Sequence, residues 1–161
     1  MRESISVTTN WGILTAVAEN GAVVRLYLPG ETPEETLTGS RSVLLEKAAS
    51  ELQEYFSGRR RNFDLPLDPD GTDFQRKVWQ ELCRIPYGTV ATYGEIARRL
   101  GIPHGSRAVG QANHRNPIPI IIPCHRVVAA GNHIGGYGGG IGLKIRLLSL
   151  EGITGLISPI R

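Results

Sequence analysis

Cys124 and His125 stand side by side in Ile120-Ile121-Ile122-Pro123-Cys124-His125-Arg126-Val127-Val128, a thiol next to an imidazole at the mouth of an apolar run too short to be a helix. A free cysteine with a pKa of about 8.5 is only a few per cent ionised at neutral pH, and a neighbouring imidazole is the usual means of lowering that pKa. The pair therefore suits an activated thiolate, with Pro123 fixing the approach of the backbone. Taken alone, the dipeptide also fits a buried structural cysteine beside a surface histidine.

The wider context decides between these readings. Upstream lies Ser106-Arg107-Ala108-Val109-Gly110-Gln111-Ala112-Asn113, then Asn116-Pro117-Ile118-Pro119; downstream lie Gly135-Gly136-Tyr137-Gly138-Gly139-Gly140 and a last Glu151-Gly152. From about Phe74 to Gly152 the chain closely resembles the O6-alkylguanine-DNA alkyltransferases, the methylated-DNA-protein-cysteine methyltransferases. Its Pro-Cys-His-Arg-Val core, preceded by Asn-Pro and a helix, is highly specific to them.

The resemblance implies a DNA repair protein that acts once. An alkyl group on O6 of guanine, with O4-alkylthymine left open, moves from a flipped-out nucleotide of double-stranded DNA to Cys124 and stays there. Catalytic roles are implied for four residues. Cys124 is the nucleophile, His125 takes its proton through a water, Glu151 orients and stabilises the imidazolium, and Asn116, held by Pro117, braces the turn. With a carboxylate behind its histidine, Cys124 is expected to ionise in the range of about 3.5 to 7.5 seen for activated thiols, and to be more reactive than Cys83.

For binding, the resemblance implies a base pocket built from Tyr93, the segment from Cys124 to Val127, and the glycine loop with Tyr137 and Gly138. The Tyr93 phenol would donate to guanine N3, and the carbonyls of Cys124 and Val127 would accept from the exocyclic amine. Arg107 would fill the gap left by the rotated base in the minor groove, and Arg126 belongs to the basic, DNA-facing set. Many relatives have Tyr-Ser where this chain reads Tyr137-Gly138, so its pocket is expected to be roomier. No cofactor and no metal are expected.

These residues need elements to position them. In 72–161, Thr72-Asp73-Phe74-Gln75 and Thr92-Tyr93-Gly94-Glu95 are both capping boxes, each opening a helix. The first helix ends at Ile85-Pro86-Tyr87-Gly88 and the second runs to about Leu100. A further helix starts near Ser106 and stops before Asn116-Pro117, giving helix-turn-helix spacing. Its face offers Ala108, Gly110 and Ala112 rather than base-edge readers, which favours shape recognition over sequence recognition. A last helix carries Ile141, Leu143, Lys144, Ile145, Leu147 and Leu148. Glu151 at its C-terminal end opposes the helix dipole and so needs another partner.

Residues 1–65 read as a smaller lobe. Strands are expected at Ile5–Thr8, Gly12–Ala18 and Ala22–Leu28, with a tight turn at Glu19-Asn20-Gly21 and a helix from Ser42 to Phe56. Arg59-Arg60-Arg61 is expected to cap the negative end of that helix. Residues 66–71 read as a connector because two prolines and a glycine cannot continue a helix. The fold class is therefore α/β (α+β): an antiparallel sheet with a helix, then a mainly helical lobe.

Charge follows the same division. Residues 1 to 71 hold seven Lys and Arg against eleven Asp and Glu, and residues 72 to 161 hold eleven against four, so the lobes carry −4 and +7. A basic lobe suits a phosphate backbone, because each neutralised phosphate releases condensed counterions. Two cysteines make no disulfide framework, and four histidines without a Cys-x-x-Cys pair make a weak case for zinc. Without an apolar span or leader, the expectation is a cytoplasmic monomer away from membranes. Three other functions remain open at this point. They are a lesion sensor without chemistry, whose nucleophile would be replaced; a redox-sensing regulator; and a thiol hydrolase.

Overall fold

The computed structural model describes residues 2–157; the last four residues of the expected 72–161 lobe lie outside them. The chain divides into two compact units, residues 1–70 with 117–119, and residues 71–116 with 120–161.

In the first unit, β1 (Glu3–Thr9), β2 (Gly12–Glu19), β3 (Ala22–Tyr27) and β4 (Thr38–Gly39) form one sheet in the order β3-β2-β1-β4. The expected turn joins β2 to β3, with Asn20 at φ 52° and Gly21 at φ 79°. Two successive positive φ values are what a hairpin turn matched to strand twist requires, and Asn-Gly supplies them cheaply. Helix α1 (Val43–Phe56) starts at Ser42, whose side chain accepts from Leu45 N. It lays Leu45, Ala48, Leu52 and Tyr55 against β1 and β2, and none of the four is solvent-exposed.

Three features here differ from the sequence reading. Strand β4, only two residues long, pairs in parallel with β1. The expected connector is paired rather than free: Pro66 O accepts from Val23 N and Asp68 N donates to Val23 O, both at 2.9 Å. The arginine run holds carboxylates instead of helix carbonyls, with Arg60 Nε donating to Glu54 at 2.7 Å.

The second unit contains α2 (Asp73–Leu82), β5 (Ala91–Thr92), α3 (Tyr93–Arg99), α4 (Ser106–His114), β6 (Val127–Val128) and α5 (Ile141–Leu150). Both capping boxes form as the sequence predicts, Thr72 with Gln75 and Thr92 with Glu95. Helix α4 packs against both α2 and α3, and the buried Trp79 on α2 donates its indole N–H to Ala112 O at 2.8 Å. Strands β5 and β6 pair in parallel, placing the start of α3 next to the segment that follows Cys124.

Candidate active site

Every residue of the candidate site belongs to the second unit. Cys124 opens a 3-10 turn, Cys124–Arg126, and all three of its residues are buried. The approach to it is strained, since Ile120 is a buried β-branched residue at φ 74°. Such a conformation costs on the order of 1 to 3 kcal/mol and persists only where the surroundings impose it. Two asparagines supply the restraint. Asn116 Nδ2 donates to Ile122 O at 2.8 Å, and Asn113 Nδ2, from the last turn of α4, donates to Cys124 O at 3.3 Å.

His125 has no exposed surface and Glu151 very little. His125 Nε2 meets Glu151 Oε2 at 2.7 Å. A carboxylate only accepts, so Nε2 carries the hydrogen and Nδ1 carries the lone pair. That Nδ1 is buried with no hydrogen-bond partner among the described residues. Burial holds the imidazole below its ordinary pKa, against the pull of Glu151, so the ring rests neutral with a vacant basic nitrogen.

Glu151 is the C-cap of α5, and its partners explain how a carboxylate sits at the negative end of a helix. Besides His125 it accepts from Arg126 Nε at 2.8 Å, Arg126 Nη2 at 3.1 Å and the backbone N–H of Gly88 at 3.3 Å. Arg126 completes its hydrogen bonding by donating from Nη1 to Ile85 O at 2.8 Å. This corrects the reading of Arg126 as a DNA contact: at 6% exposure, with its fork on a carboxylate, it offers nothing to a phosphate. Bidentate geometry is what makes arginine suited to such a buried pair.

The Cys124 thiol also departs from expectation. It is buried, and desolvation pushes its pKa up to about 11, outweighing the Asn116 and Tyr137 side chains and the Lys144 charge that pull it down. At pH 7 such a thiol is on the order of 0.01% ionised. Cys83, in contrast, is exposed at the C-cap of α2, although desolvation raises its thiol too. Iodoacetamide should therefore label Cys83 faster than Cys124 in the DNA-free protein at pH 7.5, as read by peptide mapping. Faster labelling of Cys124 would mean that its thiolate is already formed at rest.

Tyr93, the first residue of α3, links the remaining parts. A Cβ on Gly110 of α4 would touch its ring at 3.8 Å, and one on Gly135 would lie 2.9 Å from its hydroxyl. With φ at +75° as well, Gly135 is a position only glycine fills without strain, and it lets the loop close on the phenol. The phenol also interacts with the Gly136 backbone, and burial raises its pKa. Gly138 is less constrained, since a Cβ there would make ordinary contact with His114 O at 3.5 Å. Arg107 is exposed in the first turn of α4, and Val127 is fully buried.

Lys144 is the residue that the sequence reading passed over. It is fully buried on α5 and donates to Val127 O at 2.6 Å and Gly136 O at 2.9 Å, tying the loop to the segment that follows the nucleophile. Desolvation lowers its pKa to about 8, offset by attraction to a Cys124 thiolate. A signal was available, because Lys144 shares a helical face with the buried Leu147 and Leu148. Among the described residues, no group of three or more His, Cys, Asp or Glu side chains is placed to hold a metal.

The chain matches the family descriptions "6-O-methylguanine DNA methyltransferase, ribonuclease-like domain" over residues 27–69 and "6-O-methylguanine DNA methyltransferase, DNA binding domain" over residues 73–153. It is 54% identical over 142 residues to the methylated-DNA–protein-cysteine methyltransferase of Mycobacterium bovis, an alignment covering 87% of this chain and 86% of that one. The crystal structure of Mycobacterium tuberculosis O6-methylguanine methyltransferase superposes with a TM-score of 0.84 at 42% identity, covering 94% of this chain and 93% of that one. That of Mycobacterium tuberculosis OGT in complex with DNA gives a TM-score of 0.81 at 43% identity, with 93% and 91% covered. With both halves matched and over half of the aligned residues shared with a relative of nearly the same extent, the chain belongs to the family of methylated-DNA–protein-cysteine methyltransferases.

Proposed function

We propose that this protein repairs O6-alkylguanine in duplex DNA by moving the alkyl group onto its own Cys124. The observation that carries this reading is a buried thiol beside a neutral histidine that has a vacant Nδ1 and a carboxylate fixed on Nε2. The likeness to a protein solved with DNA supports the duplex as partner.

In this mechanism the thiol proton passes to His125 Nδ1, directly or through one water. The sulfur then attacks the alkyl carbon, the carbon–O6 bond breaks, and its electron pair stays on the guanine. Proton return to the ring leaves guanine and a neutral thioether. Glu151 stabilises the transient imidazolium, and Asn116 and Tyr137 lower the cost of charge on sulfur. Because the alkyl carbon on O6 lies inside the helix, the nucleotide must leave the stack. We infer that α4 enters the minor groove and that the exposed Arg107 fills the gap. Tyr93, Val127 and Gly138 then contact the base, and the missing serine hydroxyl leaves room for alkyl groups larger than methyl. The protein acts as a monomer in the cytoplasm, without cofactor or metal.

The experiment is intact-protein and peptide mass spectrometry after incubation with a duplex containing O6-methylguanine. The peptide carrying Cys124 should gain one methylene, each molecule should react once, and Cys124→Ser should gain nothing. Turnover beyond one equivalent, or no adduct on wild type, would overturn the reading; the first would indicate a hydrolase and the second a lesion sensor.

A further inference from the structure

Asn113 is 4% exposed and makes one hydrogen bond through its side chain, from Nδ2 to the carbonyl of Cys124. Its Oδ1 is buried and has no partner among the described residues. Buried amide oxygens are nearly always paired, and an orphaned one calls for a reason. His125 Nδ1 is the other such atom beside this segment, and the mechanism already gives it a proton to receive.

The two carbonyls that the sequence reading nominates for the guanine amine are already engaged. Val127 O holds the Lys144 ammonium at 2.6 Å and Cys124 O holds Asn113 Nδ2 at 3.3 Å. A carbonyl keeps a second lone pair, so each can still accept. The Val127 oxygen, however, faces a cation that is fully buried with it, which directs its lone pairs away from a further donor. An amine docking on the second lone pair of Cys124 O arrives beside the Asn113 amide. It then has one N–H left to donate, and Asn113 Oδ1 is an acceptor with nothing bound.

Building on the proposed function, we propose that Asn113 is a specificity residue that reads the 2-amino group of the flipped guanine: Oδ1 accepts one amine hydrogen while Nδ2 steadies the Cys124 carbonyl that accepts the other. The residue sits on α4, six positions after Arg107. One helix would thus carry both the side chain that replaces the base in the stack and the amide that inspects the base in the pocket. The substrate class this selects is a 6-alkoxypurine bearing a 2-amino group.

The test removes the amine from the substrate and the acceptor from the protein. Single-turnover transfer is measured on duplexes carrying O6-methylguanine or O6-methylhypoxanthine, which lacks only the 2-amino group, for wild type, Asn113→Leu and Asn113→Asp. Wild type should favour the guanine lesion, and Asn113→Leu should lose about fivefold of that preference, the worth of one net hydrogen bond. Asn113→Asp keeps an acceptor and loses the donor, so it should transfer more slowly while retaining the preference. Circular dichroism checks that the variants fold, and the Asp variant alone decides if Leu does not. An unchanged preference in Asn113→Leu would mean that Oδ1 binds a buried water only, and would overturn the inference. A preference lost equally in Asn113→Asp would also overturn it, by assigning the effect to the Cys124 carbonyl. Absence of transfer in wild type is a separate result and overturns the proposed function instead.

Discussion

Replacing Glu151 with glutamine is expected to lower both alkyl transfer and stability, the first by about 10²-fold or more and the second by about 3 kcal/mol. The rate loss follows from the proton balance. His125 is neutral at rest because burial disfavours its charge, and only the Glu151 carboxylate 2.7 Å away offsets that cost when Nδ1 takes the thiol proton. The stability loss follows from Arg126. Its guanidinium is buried on the same carboxylate, and removing one partner of a buried pair leaves a charge that no solvent reaches. A loss of that size in a chain of this length lowers Tm by roughly 6 to 12 °C. Transfer should be measured well below the lowered Tm, so that unfolding is not read as lost chemistry. Wild-type transfer together with an unshifted Tm would show that Glu151 is neither the imidazolium's partner nor the anchor of Arg126.

The dependence of Arg126 on Glu151 illustrates what could be read from the chain and what could not. Local signals were legible. Thr72 with Gln75 and Thr92 with Glu95 are three residues apart and close their capping boxes whatever surrounds them, and Asn20-Gly21 carries its turn within two residues. The Cys124-His125 pair, the glycine loop and Glu151 were visible as motifs, and the structure gathers them. Misreadings arose where distant segments decide an environment. Arg126 looked like a DNA contact because its charge was counted with a basic lobe, while its partner lies 25 positions away. The sequence neighbour of Cys124 argued for a lowered pKa, but desolvation by the folded chain outweighs the groups that lower it. Strand β4 and the pairing of 66–68 with Val23 are likewise long-range bonds that two- or three-residue segments do not announce. Lys144 and Asn113 lay inside segments read for their helical pattern, so their polar atoms were passed over.

Lys144→Met is expected to cut alkyl transfer by about 10²-fold while removing a pH dependence of stability that the wild type shows above pH 8. Methionine keeps the unbranched length and takes away the cation. The Val127 and Gly136 carbonyls then lose their shared donor, and Cys124 loses a charge that favours its thiolate. The pH dependence follows from the direction of each shift. The Lys144 pKa is lowered from 10.5 to about 8 by burial, so below pH 8 the folded state carries the full cost of a desolvated ammonium. As pH rises from 8 toward 10.5 the folded protein releases that proton before the unfolded chain does, and stability increases. Cys124 acts in the opposite direction, since its raised pKa makes stability fall from pH 9 to about 11 as the unfolded thiol ionises first. Between pH 8 and 9 the lysine acts almost alone, and its contribution rises by about 1 kcal/mol. Urea unfolding at pH 8.0, 8.5 and 9.0 should therefore show stability climbing for wild type and flat for Lys144→Met. The same climb in both proteins would mean that Lys144 is not the titrating group, and unchanged transfer in the variant would mean that its charge does nothing for the sulfur.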